Sequence, residues 1–324
     1  MSNNSTVALA PSRDLTIFTA VAFIGFSTIG FISSTITVLV IGLSKQLHTP
    51  CFIMIAGGGV GSFTVAAHYM ARGINKVRLD LGVLGYRRTG LECLFLDGIF
   101  GVWGIAFHSI MACVIAIDRL ISMMAPTRYR TLGKKYALGL LAACAFVPTM
   151  VEIFGFVTAP LDEEFTCTEF NQAMNPKYFK FYAMSNLIYA VISVAIYAAL
   201  LICFHIKLRN SAGSDKQNDN FGKQQLAVIP TIRMLTVLHF LTGNMAEILI
   251  NIRTALPTGQ PAFILIGLGS ILKDASSTVE GVSLLARSKK FRGCLRKLLR
   301  MTDNNVTTIT VSAAQLTANS TRQE

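Results

Sequence analysis

Charge is what this 324-residue sequence has least of. Only 14% of its residues are Asp, Glu, Lys or Arg, against 52% hydrophobic, and the mean hydropathy is +0.53. Soluble domains normally carry about 25% charged residues, so a water-soluble globular chain is excluded and a membrane protein expected. No metal-ligand cluster, nucleophile motif or glycine-rich phosphate loop occurs, and the five histidines are scattered, so the chain reads as a non-enzyme without a cofactor. Tryptophan occurs once, at Trp103. No cleavable signal is evident, because the first fourteen residues are polar and the first apolar run is far longer than a signal's apolar core. The first span is expected to act as its own signal.

What the sequence does have is long uncharged runs. They cover 15–44, 49–71, 98–117, 136–151 and 181–206, each near or above the roughly 20 residues that cross a bilayer. Two more runs carry interior charge: 225–252 holds Arg233 and Glu247, and 256–286 holds Lys273, Asp274 and Glu280. The expectation is an all-α membrane protein with a seven-transmembrane bundle over 15–286. It is flanked by an extracellular segment 1–14, a short amphipathic eighth helix 287–300 and a disordered cytoplasmic tail 301–324.

Seven spans place the termini on opposite sides. With the N-terminus outside, the inner segments hold about twice as many Lys/Arg as the outer segments, which is the orientation the positive-inside rule selects. The net charge of +12 comes mainly from the inner face and implies contact with anionic lipid rather than nucleic acid. The first outer loop is unusually basic, with Arg72, Lys76, Arg78, Arg87 and Arg88. Sequons at Asn3 and Asn4 fit glycan acceptors on the outside. Among seven cysteines only Cys93 and Cys167 fall in outer segments, where a disulfide persists.

The third run ends in Asp118-Arg119-Leu120, with Pro126 seven residues after Arg119 and Tyr129 three later. These four residue types at this spacing resemble the motif that closes the third helix of rhodopsin-like (class A) seven-transmembrane G-protein-coupled receptors. A second match lies at Glu280-Gly281-Val282-Ser283-Leu284 followed by Phe291-Arg292. The spacing is that of the family's Asn-Pro-x-x-Tyr and Phe-Arg, with all three signature residues replaced. Phe291, Leu295, Leu298 and Leu299 then form the apolar stripe of an interfacial helix, similar to the family's eighth helix. Other positions depart from the family. Ser34 stands for the first-helix Asn and Ser62 for the second-helix Asp. The fourth-helix Trp is missing, Tyr189 replaces a fifth-helix Pro, and Leu238-His239-Phe240-Leu241-Thr242 lacks Trp-x-Pro. Such erosion is most similar to the nematode serpentine chemoreceptors of the Srsx type.

The resemblance implies a chemosensory receptor in the plasma membrane, extending to sensory cilia, that binds an extracellular small-molecule or peptide ligand and activates a heterotrimeric G protein. It implies G-protein coupling through Asp118, Arg119, Pro126, Tyr129 and Tyr197, with Arg119 paired to Asp118 at rest. It also implies a Cys93–Cys167 disulfide, although Cys93 sits 26 residues before Arg119, one more than the family's usual spacing. The family's central sodium-linked carboxylates correspond to Ser62 and Glu280, so Glu280 is expected to supply the central buried charge. Cys294 is a palmitoylation candidate, and the Ser/Thr-rich tail a site for phosphorylation and arrestin.

From the residues themselves, charges inside a bilayer are costly and should face the bundle with partners. Asn244, Glu247 and Asn251 form a polar stripe, and Lys273 lies near mid-membrane, about 18 Å into its helix. Asp97 and Glu247 are its candidate counter-ions. These five residues, Asp97, Asn244, Glu247, Asn251 and Lys273, make a candidate ligand site. Two alternatives share the charges. One is a secondary transporter relaying ions through Lys273, Asp274 and Glu247, against which stands the lack of related halves. The other is a retinal-binding opsin, against which stands Lys273 lying one residue from the chromophore position, which Asp274 occupies.

Overall fold

The computed structural model describes residues 13–82, 88–89, 93, 100–159, 164–165, 174–211, 238, 240–255 and 260–300, without the side chains of 88, 126, 130, 164–165, 176, 204, 207–211, 240, 253–255, 260, 262–263, 280 and 287. Its elements are almost all helical. Helix α1 spans Arg13–Leu43 and, after a short turn, α2 spans Pro50–Asp80. Thr49 is extended and Pro50 takes the first helical turn of α2, where a missing N–H costs nothing. Helix α3 (Gly104–Met124) is entered through a π-turn at 100–103 and is followed by the short α4 (Pro126–Thr131), α5 (Lys134–Val157) and α6 (Pro176–Ser211). A π-turn at Phe240–Asn244 runs into α7 (Met245–Ala255), then α8 (Gln260–Arg287) and a helix α9 over 289–300.

Packing neighbours close a ring. Helix α1 lies against α2 and α8, α2 against α3, α5 and α8, α3 against α5 and α6, α6 against α7, and α7 against α8. The distribution of side chains on this ring is inverted relative to a soluble protein. Phe18, Val21, Ile32, Phe146, Phe154, Val157, Ile188, Val191 and Ile202 are exposed on the outer faces, while Ser27, Asn186, Asn244, Glu247, Lys273 and Asp274 are buried inside. Only a lipid environment makes that arrangement stable, since hydrocarbon solvates the apolar coat and the polar groups must satisfy one another. Among the described residues, five helices are long and apolar enough to cross a membrane. Helix α8 has the length, at 28 residues, but Lys273, Asp274 and Glu280 hold down its hydropathy.

Two expectations shift. Helix α2 continues to Asp80, so Arg72, Lys76 and Arg78 sit on its last turns rather than in a loop. Arg72 is buried over the rings of Phe23 and Tyr69, and Lys76 lies over Phe23. Asp80 closes that end of α2 by taking a bidentate hold from Arg13, at 2.7 and 3.2 Å. Finally, Cys294 is 5% exposed, packed with Val40, Ile41, Leu47, Leu284 and Phe291. Acylating that thiol would require α9 to lift off α1 and α8, so the structure favours a packing role over palmitoylation.

Two short strands, β1 (Arg88–Thr89) and β2 (Glu164–Phe165), stitch the segment after α2 to the segment after α5, paired antiparallel with Arg88 opposite Phe165 and Thr89 opposite Glu164. Cys93 is disulfide-bonded, and Cys51, Cys113, Cys144, Cys203 and Cys294 are free. Cys167, Asp97, Asn3, Asn4 and the tail lie outside the described residues.

Close approach of α2 to α3 rests on Gly61, where an added Cβ would come within 3.1 Å of His108 Cα and 3.2 Å of its backbone nitrogen. Backbone cannot yield as a side chain does. Gly61→Val is expected to destabilise the fold by about 1–3 kcal/mol, read as a lower melting temperature of the detergent-solubilised protein. An unchanged melting curve would mean that the two helices are not in contact there.

Candidate functional site

Near the C-terminal end of α3, Asp118 is 1% exposed and Arg119 follows it. Arg119 Nη2 donates to Asp118 Oδ2 at 2.5 Å, and the Tyr129 hydroxyl donates to the same oxygen at 3.0 Å. The spacing of the motif explains the geometry. Pro126 starts α4 one residue after Ala125 ends α3, its fixed φ suiting a first helical turn, and one turn later Tyr129 faces back onto the pair. Arg119 Nη2 also lies 3.4 Å from the Tyr129 oxygen. Asp118 is thus held by two donors from two helices, leaving Oδ1 of Asp118 and Nε of Arg119 without partners. A guanidinium tied locally, with spare donors and part of its surface open, can be released to an incoming acceptor without unfolding anything.

A second set of polar side chains lies deeper in the ring. Lys273 Nζ on α8 meets Glu247 Oε1 on α7 at 2.6 Å, both side chains more than nine-tenths buried, and also donates to Ser109 Oγ on α3 at 3.2 Å. Of the two expected counter-ions, Glu247 is therefore a partner, while Asp97 lies outside the described residues. Ser193 on α6 donates to Asn244 Oδ1 at 3.4 Å, and Asn251 Nδ2 donates to the Glu247 carbonyl at 2.8 Å. The π-turn ending at Asn244 widens the helix just before Glu247, an arrangement often seen at functional sites. Beside this layer on α6 sit Tyr182 and Asn186, and Asn186 Oδ1 is buried with no hydrogen-bond partner. Four helices therefore contribute polar groups at one depth.

Ser62 does not stand alone at the centre. Its hydroxyl lies 3.3 Å from His108 Nδ1, and Ser276 Oγ lies 3.5 Å from His108 Nε2, joining α2, α3 and α8 through one imidazole. The Glu280 side chain lies outside the description. Tyr197 is half-buried on α6. His108 and Asn186 are site residues that sequence reasoning missed. Both are formally neutral, so a scan for intramembrane charge passes over them; His108, eleven residues before Arg119 and hence three helical turns away on one face, was the available signal.

A ring of helices coated in apolar residues, with its charges paired inside and a basic latch at one end, is a multi-pass membrane receptor fold. The family model described as Serpentine type 7TM GPCR chemoreceptor Srsx matches residues 27–298, and the chain belongs to that family. Membership makes it a GPCR-type chemosensory receptor, of a family that is generally non-enzymatic. No curated protein sequence matches the chain.

Burial of the Lys273–Glu247 pair has a measurable signature. Lys273→Met or Glu247→Leu alone leaves one unpaired charge in the bundle and is expected to cost about 3–5 kcal/mol, whereas the double substitution should recover most of that loss. Thermal melting of the purified singles and double checks the cycle; strictly additive losses would show that the two groups are not coupled.

Proposed function

We propose that this chain is a plasma-membrane receptor, N-terminus outside and C-terminus inside, that binds a small extracellular ligand in the Lys273–Glu247 layer and activates a heterotrimeric G protein through the Asp118–Arg119–Tyr129 latch. The observation that carries the reading is the pairing of both devices on α3: Ser109 contributes to the polar layer, and Arg119, about 15 Å further along the same helix, forms the latch. A rigid helix joins the place where a ligand would act to the place where a partner would read the result.

The layer fits recognition of a polar ligand. A bound carboxylate or hydroxyl competes for Lys273, and the unpartnered Asn186 Oδ1 accepts from a ligand donor. Because Glu247 and Lys273 tie α7 to α8, loosening that tie lets α7 move, and the mechanism is a population shift toward the state in which Arg119 leaves Asp118. Pro126 and Tyr129 set the resting hold, and Tyr197 takes part once the inner face opens. On the outside, a Cys93–Cys167 bridge would reinforce the β1–β2 stitch, and glycans would sit at Asn3 and Asn4. On the inside, α9 presents exposed Lys289, Lys290, Arg296, Lys297 and Arg300 to anionic headgroups, and the tail supplies phosphorylation sites for arrestin. The buried charges also suit an ion relay, but the chemoreceptor family match favours a receptor over a transporter or an opsin.

The test begins with cells expressing the chain, challenged with odorants and short peptides to find an activating compound. Arg119→Ala at matched surface expression is expected to reduce G-protein nucleotide exchange at least tenfold; undiminished exchange would sink the assignment. Tyr129→Phe should do the opposite to the basal rate. It removes one of two hydrogen bonds holding Asp118, worth about 1 kcal/mol, and so raises basal exchange by about fivefold.

A further inference from the structure

Near the C-terminal end of α5, Glu152 is half-buried on the face that also carries the buried Pro148 and Gly155. Its Oε1 is buried with no hydrogen-bond partner, and none of the ion pairs among the described residues includes it. Ile153, Phe154 and Val157 on the same turns are exposed in the manner of a lipid-facing surface. A carboxylate in that setting calls for a counter-charge. The neighbouring chain supplies none. Between Val157 and Asn175 there is no Lys or Arg, only Asp162, Glu163, Glu164 and Glu169 among charged residues, and Lys177 and Lys180 on α6 are exposed.

The surroundings define which cation fits. Helix α5 packs mainly on α2 and α3, and its link to α6 at this end runs through Tyr178. The Tyr178 hydroxyl donates to the Val151 carbonyl at 3.0 Å, and its ring rests on Gly155, where an added Cβ would come within 2.7 Å of Cζ. The ring thus lies along the turn from which the Glu152 side chain starts. Phe154 and Tyr182 lie 5.9 and 6.5 Å from Tyr178 between ring centroids, so three aromatic rings gather there. The nearby hydroxyls are already engaged. Tyr178 is held by Val151; Thr149 donates to the Ala145 carbonyl at 2.8 Å and accepts the Trp103 indole N–H at 3.1 Å; Thr158 donates to the Phe154 carbonyl at 2.9 Å. A small metal ion needs several oxygen ligands. One carboxylate beside aromatic rings suits instead an organic ammonium group, whose charge pairs with the carboxylate while its apolar substituents lie on the rings.

We propose that Glu152, with the Tyr178 ring, holds an organic ammonium group in the seam between the C-terminal end of α5 and the start of α6. Two sources carry that chemistry, the choline head of a membrane lipid and a free amine. The site is separate from the Lys273–Glu247 layer and stands whether or not that layer takes the activating ligand. Its occupant supplies the missing counter-charge and ties α5 to α6, the helix that brings Asn186 and Ser193 to the polar layer. A bound ammonium therefore stabilises the bundle along a seam that the protein itself packs only lightly.

The test uses the full chain in nanodiscs of phosphatidylglycerol, which has no choline, with melting followed as choline chloride replaces sodium chloride at constant ionic strength and pH. The expected result is a saturable rise in melting temperature, following mass action. It should be absent with 3,3-dimethyl-1-butanol, the uncharged isostere of choline. Glu152→Gln, which keeps shape and removes the charge, should weaken the choline midpoint about tenfold or more. Nanodiscs of phosphatidylcholine separate the sources. A melting temperature already raised there, insensitive to added choline and lowered by Glu152→Gln, assigns the site to the lipid head; an undiminished choline response assigns it to a free amine. The proposal is overturned if neither choline nor phosphatidylcholine raises the melting temperature, which leaves the carboxyl a proton as its only partner. An unchanged response in Glu152→Gln overturns it too. Should that variant not fold, equal effects of choline and its uncharged isostere on the unmodified chain overturn it alone.

Discussion

The Lys273–Glu247 pair is the contact on which the ring depends. It joins α7 to α8 and, through Ser109, both to α3. In a soluble protein such a pair would add little, because desolvation consumes most of its Coulomb energy. In a bilayer no aqueous alternative exists for either side chain at that depth, and the apolar faces of helices gain nothing by exchanging lipid for one another. Polar contacts therefore set which helices meet and in what rotation. The same reasoning covers Ser27 with Asp274, which links α1 to α8, and Ser62 with His108, which links α2 to α3.

Much of this was readable from the residues because the bilayer imposes a coarse rule. Uncharged length predicts the spans, and α1, α2, α3, α5 and α6 appear where the runs are. Boundaries were less legible for a physical reason: helix continues past the hydrocarbon, so α2 carries Arg72, Lys76 and Arg78 on its last turns and α5 runs through Glu152 to Val157. Lysine and arginine can extend their stems along the apolar surface and keep their heads near the interface, which makes charge a poor marker of where a helix stops.

At the site, the groups identified by charge found partners, while those that work without charge went unseen. Lys273 with Glu247 and Arg119 with Asp118 follow from the cost of isolated ions. His108 and Asn186 do not, since a neutral imidazole or amide costs too little in a span to attract notice, and the direction each faces depends on helix rotation. Asp274 shows the limit from the other side. Its charge was evident, but its partner was not named by the sequence, and the 100° between it and Lys273 on the helix turns the two toward different neighbours.

The two ends of α3 carry different kinds of constraint. At the C-terminal end, Asp118, Arg119 and Tyr129 form a compact set from adjacent helices, specified by local sequence spacing and insensitive to how the rest of the ring is rotated. At mid-membrane, Ser109 and His108 meet groups from α2, α7 and α8, so their partners depend on the packing of the whole bundle. A local device can persist while the distributed one is rebuilt residue by residue. That is how a chain can retain one end of a receptor signature while replacing the other, with Glu247, Lys273 and His108 carrying the helix contacts in the rebuilt interior.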